Sequence, residues 1–494
     1  MRWIIAIAWL LAAGPALALT PKEVWAECQG QMAQAGGSLT AQVKENLSGM
    51  LTLENLTGTI NDRQQDGLYA SGTIWTLSLV QAKDGAVIVV LPSTPIKLQI
   101  APHLANYDVT LTIHRGQLRI TQTGGNLVYA LTSQGLDLDY TGWSGSFDAK
   151  RKGAIRGAAV AVTVRFAAGP PDYSYDLTAR DLSYDLTSRT PKLAEVTQNV
   201  GSYRDVASQG SFAAPAGYAG LLGNLVTPDD RIRGLRRMLK AGLAARVSMA
   251  ASASQNHMAQ TSHGKTVLSW SDVGAATLAL YLDRSGVVFD ATEAVGRLGH
   301  SDAFVDLQLA FGALDFGVTW PLLGEAFDPF RLRVHLRDLT LPPEWWARHD
   351  PEARFPHDPI KVDLLAKAVV RTDILGLMLN PARQDTAPEF QSLTLERLSL
   401  TGLGATLQAS GAFTVDNAGP RPIPKGKGEV HLTGIYTLLD GMQSVGILSA
   451  DQNMGARLVL LSFFRPSDDL ANGLAAEIEA RPDGSLWVNG IRRR

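Results

Sequence analysis

Leu51-Thr52-Leu53-Glu54, Trp75-Thr76-Leu77-Ser78-Leu79 and Ile96-Lys97-Leu98-Gln99-Ile100 each alternate an apolar with a polar side chain. The same period of two returns in Val109-Thr110-Leu111-Thr112-Ile113. Alternation gives a strand one apolar and one polar face, as in an antiparallel sheet covered on one side. His114-Arg115-Gly116-Gln117 reads as a turn, after which Leu118 and Ile120 resume the pattern. Thr123-Gly124-Gly125-Asn126 turns the chain again before Leu127, Tyr129 and Leu131. Ser133-Gln134-Gly135 then separates these from Leu136, Leu138 and Tyr140. Glycine-containing turns roughly ten residues apart predict successive hairpins.

Upstream of these strands, Thr20-Pro21-Lys22-Glu23 has the residues of an N-cap, a first helical turn and a capping box. It predicts a short helix to about Ala35, stopped by Gly36-Gly37. Tyr175-Asp176-Leu177-Thr178 recurs as Tyr184-Asp185-Leu186-Thr187 and reads as two strands alternating Tyr and Leu. Its period is too short for a stacked repeat. Thr227-Pro228-Asp229-Asp230 opens a second helix with Ile232, Leu235, Leu239 and Leu243 on one face. Arg231, Arg233, Arg236, Arg237 and Lys240 lie largely off that stripe.

Strands return at residues 277–282, 287–291, 304–311, 332–336, 360–370 and 393–415, with helix-like stretches at 437–448 and 450–464. The expected fold is mainly β with a few helices, a β-rich α+β chain. Long curved antiparallel sheets of consecutive hairpins would carry an apolar groove. Residues 19–225 form an N-terminal β-rich region opening with the short helix. Residues 226–494 form a C-terminal β-rich region with amphipathic helices.

The N-terminus suggests an address. Arg2 precedes the apolar run Trp3–Ala13, Gly14-Pro15 breaks it, and Ala16-Leu17-Ala18 has the small-x-small form of a cleavage site. This is the pattern of a secretory signal peptide over residues 1–18, cut after Ala18. The run is short for a membrane anchor. The expectation is a periplasmic, cell-envelope protein. Cys28 is the one cysteine, expected to be a buried, inert thiol.

The chain has 494 residues, 45% hydrophobic and 19% charged, with a formal charge of −2. That balance excludes a strongly basic nucleic-acid binder and a wholly disordered acidic chain. One cysteine excludes an intramolecular disulfide and a cysteine-based zinc or iron–sulfur site.

Motifs for chemistry are scarce. Gly264-Lys265-Thr266 lacks the upstream glycine of a phosphate loop, since residue 259 is Ala. Gly402-Leu403-Gly404 lacks the third glycine of a dinucleotide site, since residue 407 is Leu. His349-Asp350 and His357-Asp358 have the residue types of a divalent-metal site, but each Asp precedes a Pro, a turn-forming pair. His257 and His263 read as surface residues. Asp137/Asp139 and Glu477/Glu479 stand at i, i+2 on single strands and read as solvent-facing pairs. No catalytic, cofactor-binding or metal residue is assigned, and no cofactor is expected. Arg492-Arg493-Arg494 reads as a disordered end.

Several short stretches resemble one exported bacterial family, known as domain of unknown function twenty-one twenty-five. They are Glu23-Val24-Trp25, residues 336–342 running into Trp345-Trp346, Met454-Gly455-Ala456-Arg457, Glu477-Ile478-Glu479, Asp483-Gly484 and Asn489-Gly490. The resemblance extends over the chain beyond the leader and brings no established activity. The rhythm of residues 398–405 and Ser410-Gly411-Ala412 is similar to AsmA-type envelope proteins. That likeness implies a curved sheet whose apolar groove suits lipid tails.

Three readings follow. The first is a non-catalytic envelope protein holding lipid or another apolar ligand in a sheet groove. The second is an assembly or scaffold factor acting on envelope proteins through Trp345, Trp346, Phe463 and Phe464, since aromatic residues dominate contact hot spots. The third is a hydrolase assembled from distant residues. A peripheral membrane contact through the basic helix 231–246 is a further expectation.

Overall fold

A computed structural model describes residues 19–34, 37–62, 68–101, 105–123, 126–144, 149–166, 172–215, 228–303, 305–354, 356–373, 388–419, 421–467 and 473–493. The signal peptide expected over residues 1–18 and the N-cap expected at Thr227 lie outside them. The chain divides into two compact units, Met1–Ala275 with His300–Asp306, and Ala276–Gly299 with Leu307–Arg494.

The first unit opens with helix α1 (Pro21–Gln34). Its N-terminus is a capping box: the Thr20 N–H donates to Glu23 Oε2 at 2.8 Å, and the Glu23 N–H donates to Thr20 Oγ1 at 3.3 Å. Strands β1 (Gly37–Glu45), β2 (Leu51–Asp62) and β3 (Leu68–Gln81) follow as an antiparallel meander, and α1 packs on all three.

Next come β4 (Val87–Val90), β5 (Ile96–Ala101), β6 (Ala105–His114), β7 (Gln117–Thr123) and β8 (Asn126–Ser144). Strands β4 and β5 both pair with β3, and β6 and β7 both pair with β8. The pairs His114↔Gly135 and Gln117↔Thr132 continue one register. Arg115-Gly116 is therefore not the reversal expected from sequence; it interrupts one long strand path. Ser133-Gln134-Gly135 is likewise no break, since β8 runs straight through it.

The meander continues through β9 (Ala149–Phe166), β10 (Asp172–Thr190) and β11 (Glu195–Ala213), each paired with the strand before it. Strand β11 then pairs with β12 (Ala244–Ala251) and β13 (Ala253–Ser262), and β13 with β14 (Lys265–Val273). The Tyr-Asp-Leu-Thr repeat expected on two strands lies on β10 alone.

A crease crosses this sheet. Asn55, Arg115, Ala159 and Asp205 have positive φ (52°, 49°, 50° and 47°) on β2, between β6 and β7, on β9 and on β11. The flanking registers set residue 134 opposite Ala159, Ala159 opposite Arg180, and Arg180 opposite Asp205. At the crease the apolar positions change from odd to even or the reverse. Leu177 and Leu182, five apart on β10, nevertheless join one core cluster with Val160, Ala179 and Val206. The crease thus keeps the apolar residues on one side where a regular strand would put them on opposite sides.

On one side of the crease, α1 closes a core of Val24, Cys28, Leu51, Leu53, Leu79, Val87, Ile120, Tyr129 and Phe166. Helix α2 (Pro228–Lys240) buries Ile232, Met238 and Leu239. The basic helix expected over residues 231–246 ends at Lys240. Gly242 there takes φ +107°, and the N–H groups of Gly242 and Leu243 donate to Leu239 O and Met238 O, a Schellman stop. Arg246 belongs to β12.

The second unit pairs β15 (Ala276–Asp283) with β16 (Gly286–Ser301). Its main meander is β17 (Asp306–Trp320), β18 (Asp328–Leu339), β19 (Ile360–Arg371), β20 (Glu389–Gly402), β21 (Ala405–Asp416) and β22 (Ile423–Thr433). Helix α3 (Pro343–His349) joins β18 to β19. Helices α4 (Ile435–Ser444) and α5 (Ala450–Phe463) lead to β23 (Arg465–Pro466) and β24 (Leu474–Ala480), which pairs with β22. The short hairpin β25 (Leu486–Val488) and β26 (Ile491–Arg492) closes the chain. Mainly β, with few helices and consecutive antiparallel hairpins, is the architecture read from the alternation.

Candidate ligand surface

Beyond the crease, the far halves of β8–β11 carry an apolar strip. Register aligns Leu136, Gly157, Leu182 and Tyr203 in one row, and Leu138, Ile155, Tyr184 and Gly201 in the next. Tyr140, Gly153 and Leu186 form the third. Directly opposed residues share a face, so the strip is continuous. Its Leu, Ile and Tyr side chains are all only half-buried.

Glycine shapes this surface. A Cβ on Gly201 would meet the Tyr184 hydroxyl at 2.5 Å, and one on Gly153 would meet the Tyr140 ring at 2.3 Å. The two tyrosines therefore lie over neighbouring backbone, an aromatic-over-glycine arrangement. Tyr184 donates its O–H to Asn256 Oδ1 at 2.9 Å, and burial pushes its phenol up to about 12. Burial also raises Tyr140, while the charge of Arg151 pulls it the other way. Arg151 pairs with Gly142, two residues beyond the Tyr140–Gly153 pair, and so ends the strip on the same face. An open hollow of about 530 Å³ lies at these strand ends, lined by residues of both faces, Thr141, Gly142, Trp143, Lys150 and Arg151. The strip offers aliphatic and aromatic surface along its length and a guanidinium at one end.

The opposite face is ionic. Asp137 meets His114 Nε2 at 2.9 Å and Arg156 Nε at 3.6 Å, and Asp139 meets Arg156 Nη2 at 2.6 Å. Glu477 pairs with Lys427 at 3.4 Å and Glu479 with Arg481 at 2.8 Å. Both carboxylate pairs thus sit in surface ion pairs. Gly264 and Leu403-Gly404 are hairpin turns with positive φ, and His257 and His263 are exposed.

The aromatic residues singled out from sequence form two separate features. Trp345 and Trp346 lie on α3, half-buried and edge to face at 4.9 Å. His349 stacks on Trp345 at 4.2 Å and His357 on Trp346 at 3.8 Å. His357 Nε2 lies 3.0 Å from Oδ2 of the buried Asp350, so this His/Asp pair knits a loop together. Among the described residues no group of three or more His, Cys, Asp or Glu could hold a metal ion. Phe463 and Phe464 instead end α5, the first exposed and the second half-buried. Sequence reasoning missed the strip, although the parity change from Leu131 to Leu136 was its signal.

The fold and surface define a β-meander protein whose first unit carries a half-buried apolar face. The chain belongs to the bacterial family described as "Uncharacterized protein conserved in bacteria (DUF2125)", whose model matches residues 235–491. The match leaves Glu23-Val24-Trp25 outside, so it is narrower than the resemblance read from sequence. No curated protein and no solved structure matches the chain.

Proposed function

We propose that this is an exported, periplasmic cell-envelope protein without chemistry of its own, which holds lipid or another apolar molecule on its sheet. The carrying observation is the strip of Leu136, Leu138, Tyr140, Ile155, Leu182 and Tyr184, aligned in register yet only half-buried. A sheet face of this kind normally finds a second layer to cover it. An acyl chain laid along the strands would serve as that layer. The leader pattern of residues 1–18 supports export, and the AsmA-type rhythm read in residues 398–405 would suit a lipid ligand. Native mass spectrometry of the purified protein tests the reading. Co-purified lipid that is lost in Leu138→Gln/Leu182→Gln is expected; wild-type protein that carries none refutes it.

A further inference from the structure

Helix α5 is built inside out. Its side toward α4 is polar: the buried Asn453 gives amide hydrogens to Gln443 Oε1 (2.6 Å) and Asp440 Oδ1 (3.2 Å). Arg457 donates Nε–H to Asn453 Oδ1 at 2.9 Å, pairs with Asp440 and lies over the Tyr436 ring. The outward side is apolar. Met454 is 61% exposed, Leu458 58%, Val459 58% and Leu461 64%. A surface helix in water normally shows the reverse pattern, and contiguous exposed apolar residues mark a contact surface.

Segments on either side of the helix expose apolar residues too. Ile447, in the turn before it, and Ile491, on the terminal hairpin, are also exposed. That hairpin is fixed to the end of α5. Asn489 Nδ2 donates to Phe463 O at 2.9 Å, Arg493 donates to Ser462 O, and its guanidinium lies over the Phe463 ring at 5.3 Å. The tail expected to be disordered is therefore ordered as far as Arg493. Arg465, two residues beyond Phe463, is exposed as well.

We propose that this face docks on a bilayer surface carrying anionic lipid. Met454, Leu458 and Leu461 enter the headgroup–acyl boundary, and Arg465 and Arg493 meet lipid phosphates. At 100° per residue Leu461, Met454 and Leu458 fall within about 60° of one another, and Val459 lies about 100° further round. A protein groove gripping the Met454–Leu458–Leu461 stripe would leave Val459 bare. An anionic interface uses every part: apolar side chains insert, Phe463 sits at the boundary, and guanidiniums bind phosphate oxygens in pairs. Asp451, in the first turn, stands at the end away from the arginines, so the C-terminal end lies deeper.

Flotation with vesicles tests this. The full chain and a chain starting at Leu19, free of the apolar leader, are mixed with phosphatidylcholine vesicles, with or without phosphatidylglycerol. The shorter chain is expected to float with the phosphatidylglycerol vesicles and to release with added salt. Leu458→Gln/Leu461→Gln should weaken flotation roughly tenfold or more, with unchanged circular dichroism. Arg465→Gln/Arg493→Gln should abolish the preference for phosphatidylglycerol. Leu138→Gln/Leu182→Gln on the strip should leave flotation intact, which separates this surface from the ligand surface. Wild-type protein that ignores vesicles, or a leucine variant that floats equally well, overturns the proposal. So does a sedimentation experiment in which the leucine substitutions split a dimer.

Discussion

Gly157 and Val160 stand three residues apart on β9 and face the same side of the sheet: a Cβ on Gly157 would come within 2.7 Å of Val160 Cγ2. Three is an odd spacing, so a regular strand would place them on opposite sides. Ala159, at φ +50°, makes the difference. A branched side chain tolerates that conformation badly, and strain of this kind costs about 1–3 kcal/mol. Ala159→Val should therefore lower the thermal midpoint by several degrees, and Ala159→Gly should match or exceed wild type. Scanning calorimetry of the three proteins checks the order.

Tyr184 rests where a Cβ at Gly201 would sit. Gly201→Val should evict the ring, break the bond to Asn256 and cost about 1–3 kcal/mol by overpacking. Tyr184→Phe keeps the ring and loses one hydrogen bond, worth about 1 kcal/mol. Urea unfolding should rank wild type above Tyr184→Phe and Tyr184→Phe above Gly201→Val. Near-ultraviolet dichroism should change most in the last.

Cys28 is held protonated by burial in the core under α1, its thiol pushed up to about 12. An exposed thiol in the unfolded chain ionises near 9.0. The raised value in the fold means that this group's share of stability is complete below about pH 9. It is lost as pH climbs toward about 12. Cys28→Ala should flatten the alkaline fall of the urea midpoint. In native protein at pH 8 the thiol should resist a disulfide-exchange reagent, and in urea it should react at once.

Arg151 ends the apolar strip beside Tyr140. If the strip holds a lipid tail, this guanidinium favours an acidic headgroup. Arg151→Glu should shift the lipid recovered by extraction and mass spectrometry from acidic toward neutral species. The amount recovered should change less than in Leu138→Gln/Leu182→Gln.

Alternation along Leu51–Leu53 and Ile96–Ile100 revealed the strands because each has one face in a core and one in water. The capping box at Thr20 and Glu23 was readable because local backbone chemistry decides it, whereas the single strand expected over residues 393–415 is two, Glu389–Gly402 and Ala405–Asp416, folded back at Leu403-Gly404, where both residues take positive φ. The crease was not readable. Arg115-Gly116 has the residues of a reversal, and Ala159 carries no mark of positive φ; only neighbouring strands hold them in line. Residues 450–464 read as helical, but the sequence could not tell which side of the helix meets protein. That depends on Asn453 and Arg457 finding partners on α4.

The border strands of each unit have a bearing on solubility. Chains built from hairpin upon hairpin risk recruiting a stranger's strand along any long open border. Here β1 is disrupted between Thr40 and Gln42 and carries Lys44, while β25 and β26 are only three and two residues long. Such borders give an incoming segment few aligned hydrogen-bonding sites, so each unit is guarded there against fibre-like growth.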